Sequence, residues 1–194
     1  MFPLVEVFES LQGEGRNTGR PAVFVRFAGC NLSCPWCDTR VAANFSLSRD
    51  ALLAEIAAFK AKSVILTGGE PTIQEGVDEL VAALKGLGYW VAVETNGTCD
   101  VAWLKKVDYV ASSPKAEFPD ALRLKKANEV RIVASSPDAL AFARRVQREI
   151  AADDYYISPC ERGGQMDFAL AKDILRQLDG FSLSVQLHKI LGFR

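Results

Sequence analysis

Short runs of β-branched and aromatic residues alternate along this chain with stretches whose apolar residues recur every three or four positions. That alternation predicts strands joined by crossover helices, and hence a mostly parallel α/β sheet. Strands are expected at Leu4–Phe8, Ala22–Phe27, Ser63–Thr67, Trp90–Thr95, Tyr109–Ser112, Glu129–Val133, Tyr155–Ser158 and Phe181–Gln186. Leu52, Leu53, Ile56 and Phe59 make one helical face, and Val77, Leu80, Val81, Leu84 and Leu87 make another that Gly88 ends. Ser136-Pro137-Asp138 reads as the cap, first-turn proline and first-turn acid of a third helix, and Leu170, Ile174 and Leu178 mark the last.

Polar groups collect just after the expected strands, which is where parallel α/β barrels build their sites. The cysteine-rich loop follows Phe27, Gly68-Gly69-Glu70-Pro71 follows Thr67, and Glu94-Thr95-Asn96-Gly97 follows Val93. Ser112-Ser113-Pro114-Lys115, Ser135-Ser136, Ser158-Pro159 and Gln186-Leu187-His188-Lys189 occupy equivalent places. A complete eight-fold barrel takes about 250 residues. With 194 residues, this chain is expected to form a trimmed, partly open (β/α) barrel. It has no internal repeat or Pro/Ser-rich linker, so one domain over residues 1–194 is expected.

The charges almost cancel, 23 basic against 24 acidic side chains, which gives no electrostatic basis for binding nucleic acid or an anionic membrane. A small-molecule substrate is expected instead. No apolar run reaches membrane-spanning length, and the N-terminus lacks a basic segment followed by an apolar one, so the cytoplasm is the expected compartment. Five cysteines, with three in one loop, argue against a disulfide framework and for reducing surroundings.

Those three, Cys30, Cys34 and Cys37, can converge on one metal centre and leave a coordination position for something else. Spacing alone does not name the metal, and zinc or a redox-sensing site stays open at this point. With Trp36 before the last cysteine, however, the loop resembles that of the radical S-adenosylmethionine (SAM) superfamily, and Gly68-Gly69-Glu70-Pro71 is similar to its second hallmark. The resemblance implies a 4Fe-4S cluster on the three cysteines whose fourth iron binds SAM. Gly69 and Glu70 would contact the SAM ammonium end. Ser113, Pro114 and Lys115 match a segment that contacts its methionine or ribose part, and Ser158, Pro159, Cys160 and Glu161 stand at the adenine-contacting strand end, where Ser158-Pro159 replaces a common Gln-Pro. Glu94 and Asn96 are candidates for contacts one layer behind the bound ligand, although turn formation explains Asn96-Gly97 about equally well.

Phe8-Glu9-Ser10-Leu11-Gln12-Gly13-Glu14-Gly15, Gly19-Arg20-Pro21-Ala22, Phe24-Val25-Arg26, Cys37-Asp38-Thr39 and Gln186-Leu187-His188-Lys189 narrow the resemblance to the 7-carboxy-7-deazaguanine synthase family, which serves 7-deazapurine and queuosine biosynthesis. This implies conversion of 6-carboxy-5,6,7,8-tetrahydropterin to 7-carboxy-7-deazaguanine with loss of ammonia, SAM being regenerated. The implied substrate contacts are Leu11, Gln12, Gly13, Glu14, Arg26, Thr67, His188 and the Arg194 carboxylate, with Thr39 as a ligand for Mg2+. An electron donor such as flavodoxin or ferredoxin and a homodimer are also implied. No catalytic proton carrier is assigned, since a lone histidine such as His188 is more often a packing or hydrogen-bonding residue. Two competing readings are an activase of glycyl-radical proteins, which would need a surface groove, and a metal-binding module without activity.

Overall fold

In a computed structural model that describes every residue except 38, 40, 41 and 194, the chain forms eleven strands and five α-helices among the described residues. In order they are β1 (Phe2–Leu11), β2 (Pro21–Phe27), β3 (Phe45–Leu47), α1 (Arg49–Ala57), β4 (Ser63–Gly68), α2 (Val77–Gly86), β5 (Trp90–Thr95), β6 (Tyr109–Ser112), β7 (Glu129–Ala134), α3 (Ala139–Glu149), β8 (Asp154–Pro159), β9 (Glu161–Arg162), β10 (Gln165–Met166), α4 (Phe168–Leu175), β11 (Phe181–Leu183) and α5 (Leu187–Leu191). Nine strands form one sheet in the order β11-β8-β7-β6-β5-β4-β2-β1-β3. Pairing is parallel from β2 to β11, whereas β1 runs antiparallel to both β2 and β3. The mostly parallel α/β sheet expected from the sequence is therefore present, and its two ends, β11 and β3, are not paired with each other.

The sheet is curled. Gly15, just past β1, donates its N–H to Ser184 Oγ, just past β11, at 2.9 Å. Those strands stand seven places apart, which in a flat sheet would separate them by roughly 30 Å. Alternation along each strand divides the residues between the two faces of this curl. Val23, Val25, Val64, Leu66, Val91, Val93, Val130 and Ile132 point outward and pack under Leu52, Ile56, Leu80, Leu84, Phe142 and Val146 of the helices. Inside, Ala22, Ile65, Ala92, Tyr109 and Ala111 form a small apolar cluster, with Phe24 and Trp90 packed on it. One step of the same alternation further on, the inner positions become polar: Arg26, Thr67, Glu94 and Arg131.

Two expectations are corrected. The last strand ends at Leu183 rather than at Gln186. Ser184 N still bonds Ile157 O, but the next rung of the parallel ladder would need an N–H from Pro159, which has none. His188 accordingly lies on the short helix α5, not at a strand end. The third helix begins at Ala139, because Ser136 and Pro137 carbonyls accept tight i to i+3 bonds from Ala139 and Leu140, and the helical ladder starts only with Phe142 N on Asp138 O. Among the described residues, no helix is long and apolar enough to cross a membrane.

Candidate active site

The rim of the curled sheet is built by chain segments that pass within touching distance of one another. Gly69 N donates to Phe27 O and Glu70 N to Gly29 O, both at 2.9 Å, so the end of β4 is zipped to the root of the cysteine loop. Gly68 has φ +114°, and a Cβ on it or on Gly69 would collide with the backbone of Phe27 or Gly29. The double glycine is thus required by this crossing of two backbones. Glu70 is completely buried, and its carboxylate accepts from Thr72 N (3.0 Å), Thr72 Oγ1 (2.6 Å), Thr95 Oγ1 (2.7 Å) and Asn96 N (2.7 Å). A buried carboxylate so engaged is a fixed strut. It holds Asn96, which donates to Asn31 Oδ1 at 2.9 Å and points at Cys30 Sγ at 3.9 Å.

On this rim Cys30 and Cys34 are partly exposed and Cys37 is exposed. Leu32 N donates to Cys30 Sγ at 3.4 Å, and Cys37 Sγ donates to Thr39 O at 3.4 Å. Burial pushes the Cys34 thiol up, opposed by the charge of Lys115. Among the described residues, no three His, Cys, Asp or Glu side chains are gathered at single-ion distances. Trp36 is latched across the rim: its Nε1 donates to Glu117 Oε1 at 2.5 Å, Ser135 Oγ donates to the same oxygen at 2.5 Å, and Lys115 Nζ lies 5.1 Å from its ring. Burial raises the Glu117 carboxyl, but the bonds from Ser135 and Trp36 outweigh it and the net shift is downward.

The floor is made differently. Because β1 is antiparallel, Leu11 pairs with Pro21 at the start of β2, and the segment after it turns inward across the concave face. Gln12 Nε2 donates to Glu94 Oε1 at 2.8 Å, and Gln12 Oε1 accepts from Glu14 N at 3.1 Å. Arg131, 5% exposed, pairs with Glu14 at 2.7 Å and with Glu94, and its Nε faces Glu129 at 3.2 Å without hydrogen-bond alignment. Gln186 Nε2 reaches the other Glu14 oxygen at 2.9 Å. Glu129 also accepts from Arg16 N (2.9 Å) and Tyr109 OH (2.8 Å). Burial pushes the Glu129 carboxyl up despite those two bonds, and burial followed by the charge of Glu129 pushes Tyr109 up as well. The start of α5 is tied down by Leu187 N on Gly13 O at 3.0 Å, which sets the His188 ring directly over Gly13.

Between rim and floor stands Arg26. Its Nε pairs with Glu6 at 2.8 Å, the partner that an inward charge on an apolar strand requires, and another guanidinium nitrogen donates to Thr39 Oγ1 at 3.1 Å. The stacked rings of Phe8 and Phe24, 5.2 Å apart, lie beside it.

One cavity of about 480 Å³ joins the two levels. Of the residues expected from the sequence, Leu11, Gln12, Gly13, Glu14, Arg26, Thr67 and His188 line it, as do Cys30, Cys34, Cys37 and Thr39, and so do Gly69, Ser113, Lys115, Ser158, Pro159 and Glu161. Glu70, Pro114 and Cys160 do not. Glu70 is consumed by its four bonds, and Cys160 is buried away from the cavity with its thiol pushed up by burial. Glu161 lines the cavity while paired to Lys189 at 2.5 Å. Arg194 lies outside the described residues. Arg131, Glu129 and the glutamine of Gln186-Leu187-His188-Lys189 are functional candidates that pattern reading did not single out. The signal was available: two opposite charges two residues apart in an apolar strand must share its inner face.

The fittings suit the groups that such a rim implies. Three thiols around one rim supply the soft donors of an iron–sulfur cluster. Ser158 Oγ is buried against the cavity with no partner among the described residues, so a polar ligand atom would satisfy it. Fold and rim together define a radical SAM enzyme, and residues 24–140 match the Radical SAM superfamily model.

The full chain narrows this further. It is 42% identical to the 7-carboxy-7-deazaguanine synthase of Haemophilus influenzae over 98% of this chain and 93% of that one. It is 36% identical to the 7-carboxy-7-deazaguanine synthase of Bacteroides thetaiotaomicron over the whole of both chains. The crystal structure of QueE from Escherichia coli superposes with a TM-score of 0.75 at 26% identity, covering 96% of this chain and 94% of that one. The chain belongs to the 7-carboxy-7-deazaguanine synthase family of radical SAM enzymes. Membership places it in 7-deazapurine biosynthesis and implies a 4Fe-4S cluster and SAM as cofactors.

Proposed function

We propose that this enzyme contracts 6-carboxy-5,6,7,8-tetrahydropterin to 7-carboxy-7-deazaguanine with loss of ammonia, using SAM catalytically and requiring Mg2+. The observation that carries this is the position of Arg26, which stands in one cavity between three cysteines and a floor of paired carboxylates and amides. A carboxylated heterocycle spans those two levels. Its carboxylate meets Arg26 and Thr39, and its aminopyrimidinone edge, rich in N–H donors, meets Gln12, Glu14 and Glu94.

When bound, the cluster and SAM supply reversible hydrogen-atom abstraction from the carbon carrying the carboxylate. Cys30, Cys34 and Cys37 hold the cluster, while Gly69, Ser113, Lys115, Ser158 and Pro159 line the space for SAM. Thr39 would provide a hard oxygen for Mg2+, matching that ion's preference. Arg26 fixes the carboxylate through its terminal guanidinium nitrogens, since Glu6 already holds Nε. His188 closes the floor over Gly13, and a substrate contact is assigned to the carboxylate of Arg194. In this reading residues 1–194 act as one catalytic domain, are reduced by a flavodoxin or ferredoxin, and pair as a homodimer.

The test is an anaerobic assay of reconstituted enzyme with SAM, Mg2+, reductant and carboxytetrahydropterin, following product by mass and absorbance. Many turnovers per SAM, falling by about a hundredfold or more in Arg26→Ala, are expected. SAM cleavage with no deazaguanine product would contradict the assignment.

A further inference from the structure

Charge on the floor of the cavity is unevenly matched: one guanidinium, that of Arg131, faces Glu14, Glu94 and Glu129. The Arg131 and Glu129 side chains are 5% and 2% exposed, so this charge is tolerable only while every group keeps its partners. Stability alone does not call for it, because an apolar side chain of similar volume usually serves a buried position as well as an ion cluster does. What the cluster supplies is connection. Glu14 and Glu94 each place one oxygen on Arg131 and the other on a glutamine, Gln186 and Gln12 respectively. Glu129 takes the Arg16 N–H, and Gly15, held at φ 65°, packs so tightly on that carboxylate that a Cβ there would collide with it.

We propose that Arg131 is the positioning residue of the substrate pocket. Its planar fork sets the separation of Glu14 and Glu94 and, with Glu129, staples residues 12–16 to β7, so that the acceptors stand in place before substrate arrives. A lysine ammonium offers a point charge without that fork and holds the carboxylates less well. The identity of the ring being read rests on the function proposed above; the staple itself does not.

The test uses cluster-free protein in buffer containing Mg2+, so that cluster loading does not enter. Backbone amide exchange over residues 12–17 is measured without ligand, and affinity for the fluorescent analogue 6-carboxypterin is measured by titration. In Arg131→Met, exchange rises and affinity falls by about thirtyfold or more, with Arg131→Lys recovering only part of the loss. Gly15→Ala, which leaves Arg131 in place and drives a methyl at Glu129, gives the same pair of changes and stands in if Arg131→Met does not fold. Wild-type exchange and affinity in folded Arg131→Met or Gly15→Ala would overturn the proposal. Wild-type protein that fails to bind 6-carboxypterin, while exchange still responds to both substitutions, would uphold the staple and sink the pterin assignment.

Discussion

The rim and the floor of the cavity are assembled by opposite means. Rim residues arrive in compact runs, Cys30 to Cys37 and Gly68 to Glu70, joined where the Gly69 and Glu70 backbones zip onto Phe27 and Gly29 and braced by the buried Glu70 carboxylate. Floor residues arrive singly from positions 12, 14, 94, 129, 131 and 186, and side-chain charge and amide groups hold them. Radical chemistry common to many substrates needs the first kind of construction, since its geometry must be the same each time. Recognition of one substrate suits the second, because its specificity lies in particular side chains rather than in the backbone of the sheet.

The largest expected effect separates the two levels. Cys34→Ala removes one of the three thiolates, so reconstituted protein loses its iron–sulfur absorbance and all turnover. Because the floor is held by its own carboxylate, guanidinium and amide pairs, affinity for 6-carboxypterin stays within about twofold of wild type, read by fluorescence titration.

A smaller effect addresses the strut under the rim. Glu70→Ala strands four donors inside the protein, and urea denaturation is expected to show a loss of about 3 kcal/mol. A loss under about 1 kcal/mol would mean that the strut is not holding the strand ends together.

The smallest effect concerns the Trp36 latch. The Glu117 carboxyl is held below its ordinary value of 4.5, so its contribution to stability is present above that pH and is lost as pH falls through the lower folded value. Wild-type fluorescence should therefore report loosening of Trp36 on acidification below about pH 4.5, with that transition missing in Glu117→Gln, whose amide oxygen does not titrate. The same transition in both proteins would place the acid-sensitive group elsewhere.

The same contrast explains what was legible in the sequence. Strand alternation located the sheet, and β5 and β6 match their expected bounds, because a buried parallel strand is written in contiguous apolar residues. The cysteine loop and the double glycine were legible for a similar reason: their chemistry is local. Gly69 was read as a SAM contact and lines the cavity, but its missing Cβ also admits the Gly29 carbonyl, a crossing that a linear pattern does not display. Arg131 was missed because its meaning lies in three carboxylates drawn from 117, 37 and 2 residues away, brought together only by the curl of the sheet. The strand end at Leu183 depended likewise on Pro159, a residue on the neighbouring strand.

The division between a rim that generates the radical and a floor that aims the substrate is tested most directly by one ratio. In anaerobic turnover, 7-carboxy-7-deazaguanine and 5'-deoxyadenosine are quantified together for wild type and Glu14→Ala. With the floor disturbed and the rim intact, 5'-deoxyadenosine continues to form while product per 5'-deoxyadenosine falls by about tenfold or more. Equal decline of both, at an unchanged ratio, would contradict the division and make the floor part of the radical-generating machinery itself.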